Sequence, residues 1–396
     1  MASTSDINKI AMIGCGAMGG GMALLFAENG CDVFLRDPSS EAMSKVLDQA
    51  KKDNVSEKIS KYQDNESLCK AFGSSTKVFF WSLPHGQVGD TVLDGLMPYL
   101  KKDDIIIDCA NEHWENTERR IGKTTAKGIR YVGMGVSGGY QAARRGPSMC
   151  PGTDSQTFDI VLPLLRKAAA KAPDGSPCVG RIGTGGAGHY TKMIHNGIEH
   201  GMMSAICEAW AIMKKGLGMS EDEVGDVFNR WNAKGELQDL RLATYAACLA
   251  SYIQGLNIIA AADAQKHLNV DYPQLLHIWR AGCIIQADYI STKLLQPHYR
   301  TSPATNPLSA APIAHDLRKS FPSLKNVVVK ATEADHVVPS LSATLEYLKF
   351  MTSTDLPTSF QEAQLDYFGR HMFDVKGEDV EGLPRLGVRH YEWKEA

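Results

Sequence analysis

A short apolar run, Ile10 to Ile13, leads directly into Gly14-Cys-Gly16-Ala17-Met18-Gly19 and then into a helical pattern from Met18 to Glu28. A G-x-G-x-x-G turn between a first strand and a helix is the fingerprint of a dinucleotide-binding β-α-β unit. Gly14 permits the tight turn, Gly16 lets the backbone approach a pyrophosphate, and Gly19 allows the helix to pack closely on the strand. Ala17 and Met18 then open the helix whose N-terminus faces the phosphates. The alternative is a purely structural glycine turn, and the position of Asp37 argues against it. Asp37 ends the second apolar run, Asp32 to Leu35, at the distance where a carboxylate takes the adenosine ribose hydroxyls. A carboxylate there repels a 2′-phosphate, so NAD is favoured. NADP stays possible because Arg36, Ser39 and Ser40 would form a phosphate pocket if the loop turned suitably.

Further strand-like runs follow at Val78 to Ser82, Ile105 to Asp108, Tyr131 to Val136 and Cys178 to Arg181, separated by helical patterns such as Glu41 to Ala50. That alternation predicts an α/β, Rossmann-like, doubly wound domain over residues 1–182. After Gly183-Thr-Gly-Gly-Ala-Gly188 the strand signals become rare and apolar periodicity takes over. An all-α domain is expected over residues 183–375, opening with a long helix from His189 to about Lys215. The polar stretch 376–396, with Gly382, Pro384 and Gly387 but also Tyr391 and Trp393, is expected to form an extended arm.

Two segments carry candidate chemistry. Gly135-Val-Ser137-Gly138-Gly139 lies at the end of an expected parallel strand, where ligands bind in such sheets. Its backbone amides suit a carboxylate, although an ordinary glycine-rich turn would look the same. In Lys192-Met-Ile-His195-Asn196-Gly-Ile-Glu199-His200 the lysine, histidine, amide and carboxylate recur at steps of three and four, on one helical face. Such a face is either solvated or catalytic, and the flanking Met193, Ile194 and Ile198 favour a packed helix.

The formal net charge of −3 with 22% charged residues leaves no basic footprint for nucleic acid and no polybasic membrane arm. The nine cysteines have no C-x-x-C pair or metal-ligand spacing, so reduced thiols and no metal are expected. The N-terminal MASTSDINK has no signal-peptide core, and the apolar stretch around Ile258 to Ala262 is shorter than the ~20 residues of a membrane span. A cytoplasmic protein acting on a small molecule, with no membrane or nucleic-acid partner, is the expectation.

Taken together, Gly14-Cys-Gly-Ala-Met-Gly19, Ile105-Ile-Ile-Asp-Cys-Ala-Asn111, Gly135-Val-Ser-Gly-Gly139, His195-Asn-Gly-Ile-Glu199, Trp231-Asn-Ala-Lys-Gly-Glu-Leu237, Ile278-Trp-Arg-Ala-Gly-Cys-Ile-Ile285 and Asp366-Tyr-Phe-Gly369 resemble the 6-phosphogluconate dehydrogenases, within the β-hydroxyacid dehydrogenase superfamily. The resemblance covers most of the chain and implies NAD(P)-dependent oxidative decarboxylation of a sugar acid through a 3-keto intermediate. It implies Lys192 as general base, Glu199 as the acid that protonates the enediol carbon, and Asn196 and His195 as holders of substrate hydroxyls. Ser137, Gly138 and Gly139 would take the carboxylate, Asn111 would touch both substrate and nicotinamide, and His371 would come from the partner of a homodimer.

The chain also departs from that family. Gln286 and Leu365 stand where arginines of the phosphate pocket are expected, His200 replaces a tyrosine, and a lysine-bearing glycine-rich segment after Leu237 is missing; His371 keeps its place. The substrate is therefore either 6-phosphogluconate, with Arg280, Arg300 or Arg370 supplying replacement charge, or an unphosphorylated or other aldonate. A non-decarboxylating β-hydroxyacid dehydrogenase and a catalytically silent dinucleotide-binding protein are the competing readings.

Overall fold

A computed structural model describes residues 7–231, 237–302, 306–354, 356–373, 387 and 389–393. Seven strands form one sheet: β1 (Lys9–Ile13), β2 (Asp32–Arg36), β3 (Ile59–Lys61), β4 (Val78–Trp81), β5 (Ile105–Asp108), β6 (Arg130–Ser137) and β7 (Ser148–Gly152). Their order is β3-β2-β1-β4-β5-β6-β7, with β7 antiparallel to β6 and the other pairs parallel. The order reverses between β1 and β4, which opens a ligand crevice at the carboxyl ends of those strands. Helices α1 (Ala17–Glu28), α2 (Ser40–Lys52), α3 (Asn65–Ala71), α4 (Gln87–Leu96), α5 (Trp114–Thr125), α6 (Gly139–Arg145) and α7 (Ser155–Ala168) accompany the sheet. Side chains of alternate register fill two apolar layers: Ile10, Met12, Val33 and Leu35 pack with Phe26 and Met22 on one face, and Ala11, Ile13, Phe79 and Trp81 pack with Phe72 and Leu93 on the other.

The strands differ from expectation in two places. The run Cys178 to Arg181 makes only an isolated bridge, Val179 to Met149, and the seventh strand is instead Ser148–Gly152. The short β3 carries a single buried residue, Ile59, and so gives almost no periodicity to read.

The helical region begins with α8 (Ala187–Ala211), which continues through one wider helical turn, Ile212–Gly216. It is followed by α9 (Glu221–Arg230), α10 (Gln238–Lys266), α11 (Tyr272–Ile278), α12 (Gln296–Thr301), α13 (Ala311–Glu333), α14 (Pro339–Thr352) and α15 (Thr358–Gly369). Residues 232–236 of the expected Trp231 to Leu237 motif lie outside the described residues. α10 is long and apolar enough in length and composition to cross a membrane, which the sequence expectation did not anticipate, but 56% of its most apolar window is buried inside the protein. It packs against both α8 and α13, the environment of a core helix.

The chain divides into two compact units, residues 1–341 and 342–396. The expected boundary near residue 182 marks a change in secondary structure but no break in packing, because α8 packs directly on β6 and β7. Glycines make that approach possible: a Cβ on Gly188 would collide with the carbonyl oxygens of Gly133 and Cys150. Within the second unit, the Asp366 carboxylate accepts hydrogen bonds from the backbone N–H of Met372 and Tyr391 and from Trp393 Nε1, the last at 2.8 Å. Residues 391 and 393 of the expected arm thus fold back on α15, with the Trp393 ring against Tyr367 and Tyr391. Most of 376–396 lies outside the described residues.

Candidate active site

The first strand and its glycines form a seat for a dinucleotide. Gly14 has φ +93°, and a Cβ there would collide with the Ser82 carbonyl oxygen. A Cβ on Gly19 would collide with the Gly14 carbonyl, so this glycine serves helix-on-strand packing. Gly16 differs from both, since a Cβ there would meet no heavy atom within 4 Å. Protein packing does not require Gly16; space beside the backbone for a ligand does. Gly16 is also the N-cap of α1 and no side chain caps that helix, which leaves its first amides open to an anion. Asp37 closes the loop from the other side: one carboxylate oxygen accepts from Cys15 N–H and the other from Ser39 N–H, each at 2.7 Å. The donors and the open backbone fit a dinucleotide.

Next to that seat is a cavity of about 820 Å3 at the carboxyl ends of the parallel strands. Met18 of α1, Ser82 and Leu83 after β4, and Cys109, Ala110 and Asn111 after β5 form one wall. Val136, Gly138, Gly139 and Gln141 from the end of β6 and from α6 form a second. The helical region supplies Lys192, Asn196, Glu199 and His200 from α8, and Gly282, Cys283, Ile284 and Gln286 from the segment after α11. The Gly282 carbonyl accepts from Ser148 N–H at 3.1 Å, which ties this last segment to the start of β7.

Among the described residues, Lys192 is the one buried cation of the cavity wall. Its Nζ donates to Ser137 Oγ at 3.0 Å, so helix and strand residues that are distant in sequence meet here. Burial pushes its pKa below the usual lysine range, while the Glu199 carboxylate pulls the other way. Gly135 makes the approach possible, as a Cβ on it would lie 2.5 Å from Lys192 Cβ and 2.6 Å from the Gly188 carbonyl oxygen. Asn196 and Glu199 follow at the four- and seven-residue steps that keep them on the same face.

His195 shares the face but is not a lining residue. Its ring is buried against Trp279, with centroids 5.8 Å apart; Nδ1 lies 3.4 Å from Asn196 Oδ1 and 3.7 Å from Glu199 Oε2. Burial, reinforced by the Lys192 charge, lowers its pKa to about 3, so the ring is neutral near pH 7. Its Nε2 has no hydrogen-bond partner among the described residues. His371 belongs to the second unit, where its ring lies beside Phe368. Met18 and Asn111 both reach the cavity, whereas Met134 is a core residue and Trp81 is fully buried.

Sequence reasoning missed the support under Asn111. Arg120, fully buried on α5, donates to Glu112 Oε2 at 2.7 Å, to Asp108 Oδ2 at 3.3 Å and to the Gly86 carbonyl at 2.7 Å. Glu112 also accepts from the N–H of Gly86 and of His113. Burial alone would raise the Glu112 pKa, but the bonds from Asn116, Arg120 and the two amides outweigh it and hold the carboxyl below its usual range. The loops after β4 and β5, both of which line the cavity, are clamped together by this pair. His189 on α8 completes the support: its Nε2 donates to the Asp108 carbonyl at 3.0 Å, which leaves Nδ1 to accept from Thr117 at 2.6 Å.

Comparison with known proteins agrees with this geometry. Residues 9–185 match the NAD binding domain of 6-phosphogluconate dehydrogenase, and residues 188–239 and 233–393 match its C-terminal domain. The chain is 33% identical to a decarboxylating 6-phosphogluconate dehydrogenase of Emericella nidulans, over 96% of this chain and 100% of that one. It is 29% identical to that of Klebsiella pneumoniae, over 98% and 99%. The solved 6-phosphogluconate dehydrogenase of Plasmodium falciparum superposes with a TM-score of 0.87 at 26% identity, covering 97% of this chain and 100% of that chain.

Proposed function

The chain belongs to the 6-phosphogluconate dehydrogenase family, and from that premise we propose that it oxidises and decarboxylates a sugar acid, with Lys192 as general base and Glu199 as general acid. The observation that carries this reading is the buried Lys192, held against Ser137 in a cavity beside the dinucleotide seat. NAD or NADP, held by Gly14, Gly16, Ala17, Met18 and Gly19, supplies the hydride acceptor. Asp37 beside Ser39 favours NAD, because a carboxylate fixed there repels a 2′-phosphate.

In its neutral form Lys192 accepts the proton of the hydroxyl β to the substrate carboxylate as that carbon loses hydride and becomes a ketone. The lowered pKa raises the neutral fraction. The bond to the carboxylate then breaks, carbon dioxide leaves, and the electron pair passes to an enolate that the protonated Lys192 stabilises. Glu199 delivers a proton to the enediol carbon, and the keto sugar departs. Ser137, Gly138 and Gly139 receive the carboxylate, Asn196 orients hydroxyls with the buried His195 behind it, Nδ1 beside its amide oxygen, and Asn111 faces both substrate and nicotinamide. His200 and Gln286 contact the far end of the substrate, and His371 comes from the second copy of a homodimer. Exposed Met203, Ile206 and Trp210 on α8 and Ile258 on α10 support such an interface.

A Lys192→Met variant tests the base. Turnover is expected to fall by about 10² to 10⁴ with dinucleotide affinity preserved, and a variant that keeps wild-type turnover refutes the assignment.

A further inference from the structure

Given the reading of the catalytic cavity as the site of a sugar acid, on which this rests, we infer that Arg280 is a positioning residue for that acid. It closes the loop that carries one wall of the cavity and pins the closed loop to the chain beside the sheet. Residues 279–287, between α11 and a second stretch of wider helix at Tyr289–Leu295, have no regular secondary structure. Four of them, Gly282, Cys283, Ile284 and Gln286, nevertheless line the cavity. A wall built from loop is placed only as well as its ends and tethers are held.

Arg280 and Asp288 stand at the two ends of that loop, and Arg280 Nε donates to Asp288 Oδ1 across it at 2.7 Å. The same guanidinium reaches outward, Nη1 donating to Asp174 Oδ2 at 2.6 Å. Asp174 is itself fixed, since its other oxygen accepts from Ser176 N–H at 3.0 Å. Ala281 packs on Ala170, Ala172 and Cys178 of the same stretch. Holding two carboxylates in fixed directions from one head group is a property of the planar guanidinium that a lysine ammonium lacks. The Arg280 side chain is 10% exposed and its two partners are about half exposed, so the pairs act on placement more than on global stability.

Arg280 does not line the catalytic cavity and borders a separate one of about 610 Å3, so it reaches the acid only through the loop. Two inward contacts transmit its hold. The Gly282 carbonyl accepts from Ser148 N–H, and a Cβ on Gly138 would collide with that carbonyl oxygen, so the loop rests on the turn proposed to receive the carboxylate. Further along, Tyr252 Oη donates to the Ile285 carbonyl beside Gln286, the residue proposed to meet the far end of the acid. Freeing the loop ends therefore loosens both ends of the substrate site and leaves the seat at Gly14 to Gly19 untouched.

The test compares wild type, Arg280→Gln, Arg280→Lys and Asp288→Asn on whichever acid of a panel containing 6-phosphogluconate and gluconate the wild type oxidises fastest. Arg280→Gln is expected to raise KM for the acid about fivefold or more, with dinucleotide affinity within twofold of wild type. Amides of residues 281–287 are expected to exchange hydrogen about tenfold faster in that variant. Arg280→Lys should recover only part of the loss, and Asp288→Asn should add nothing to Arg280→Gln, because both remove the same bond. An arginine with a merely structural role would lower thermal stability and leave KM alone. KM and exchange within twofold of wild type in Arg280→Gln overturn the inference; if that variant does not fold, Asp288→Asn, at a half-exposed carboxylate, decides by the same two readouts. Reduced dinucleotide without carbon dioxide from the wild type would refute the proposed decarboxylation and leave the positioning role to the KM comparison. A wild type that oxidises no acid of the panel would refute the reading of the cavity, and the positioning role with it.

Discussion

Replacing Gly135 by alanine acts on the proposed base through packing, without replacing it. The added Cβ would sit 2.5 Å from Lys192 Cβ and 2.6 Å from the Gly188 carbonyl oxygen, where ordinary contacts need about 1 Å more. Neither neighbour can retreat easily. Gly188 is pressed against the Gly133 and Cys150 carbonyls, and His189 beside it is bonded to Asp108 and Thr117. The first turns of α8 must therefore move off β6 as a unit, carrying Lys192 Nζ away from Ser137. Overpacking of this kind costs about 1 to 3 kcal/mol, and a misplacement of about 1 Å at a reacting group is enough to cost ~10²-fold in rate. Thermal unfolding, dinucleotide affinity and turnover of whichever acid the wild type oxidises should be measured together. A drop of a few degrees, unchanged affinity at Gly14 to Gly19 and a large loss of turnover are expected. Turnover within twofold of wild type at unchanged stability would refute the packing argument.

Gly16→Ala should leave stability within about 0.5 kcal/mol, because its Cβ meets no protein atom, yet weaken dinucleotide binding by about tenfold or more; unchanged binding in an equilibrium titration would mean the pyrophosphate does not approach there. Buried neutral His195 gives a pH signature. Its pKa falls from 6.5 unfolded to about 3 folded, so between those values the unfolded chain binds more protons, and stability present above pH 6.5 is lost as pH falls toward 3 at up to ~1.4 kcal/mol per unit. Denaturant titrations of His195→Gln should show a shallower acid slope than wild type, and identical slopes would contradict the burial argument.

Much of the site was legible because it is local. The glycine turn follows its strand within a few residues, and Lys192, Asn196 and Glu199 keep helical spacing, so period alone puts them on one face. What escaped was non-local or weakly patterned. Ser148–Gly152 carries a proline and a glycine that read as a turn, yet pairing with β6 makes it a strand, while the more apolar Cys178 to Arg181 finds only a bridge. Arg120 looks like any helical surface arginine until folding brings Asp108, Glu112 and Gly86 around it. Arg280 was a candidate for replacement charge in sequence, and its bonds to Asp174 and Asp288 depend on contacts that no local pattern encodes.

The central claim is a coupled oxidation and decarboxylation, and the most direct test is the stoichiometry of its products. With an accepted sugar acid, carbon dioxide trapped from the reaction should equal the NADH or NADPH formed, and Glu199→Gln should slow release of the keto sugar while Lys192→Met slows both products. Reduced dinucleotide without carbon dioxide, alongside a stable keto acid, would contradict the account and identify the chain as a non-decarboxylating dehydrogenase.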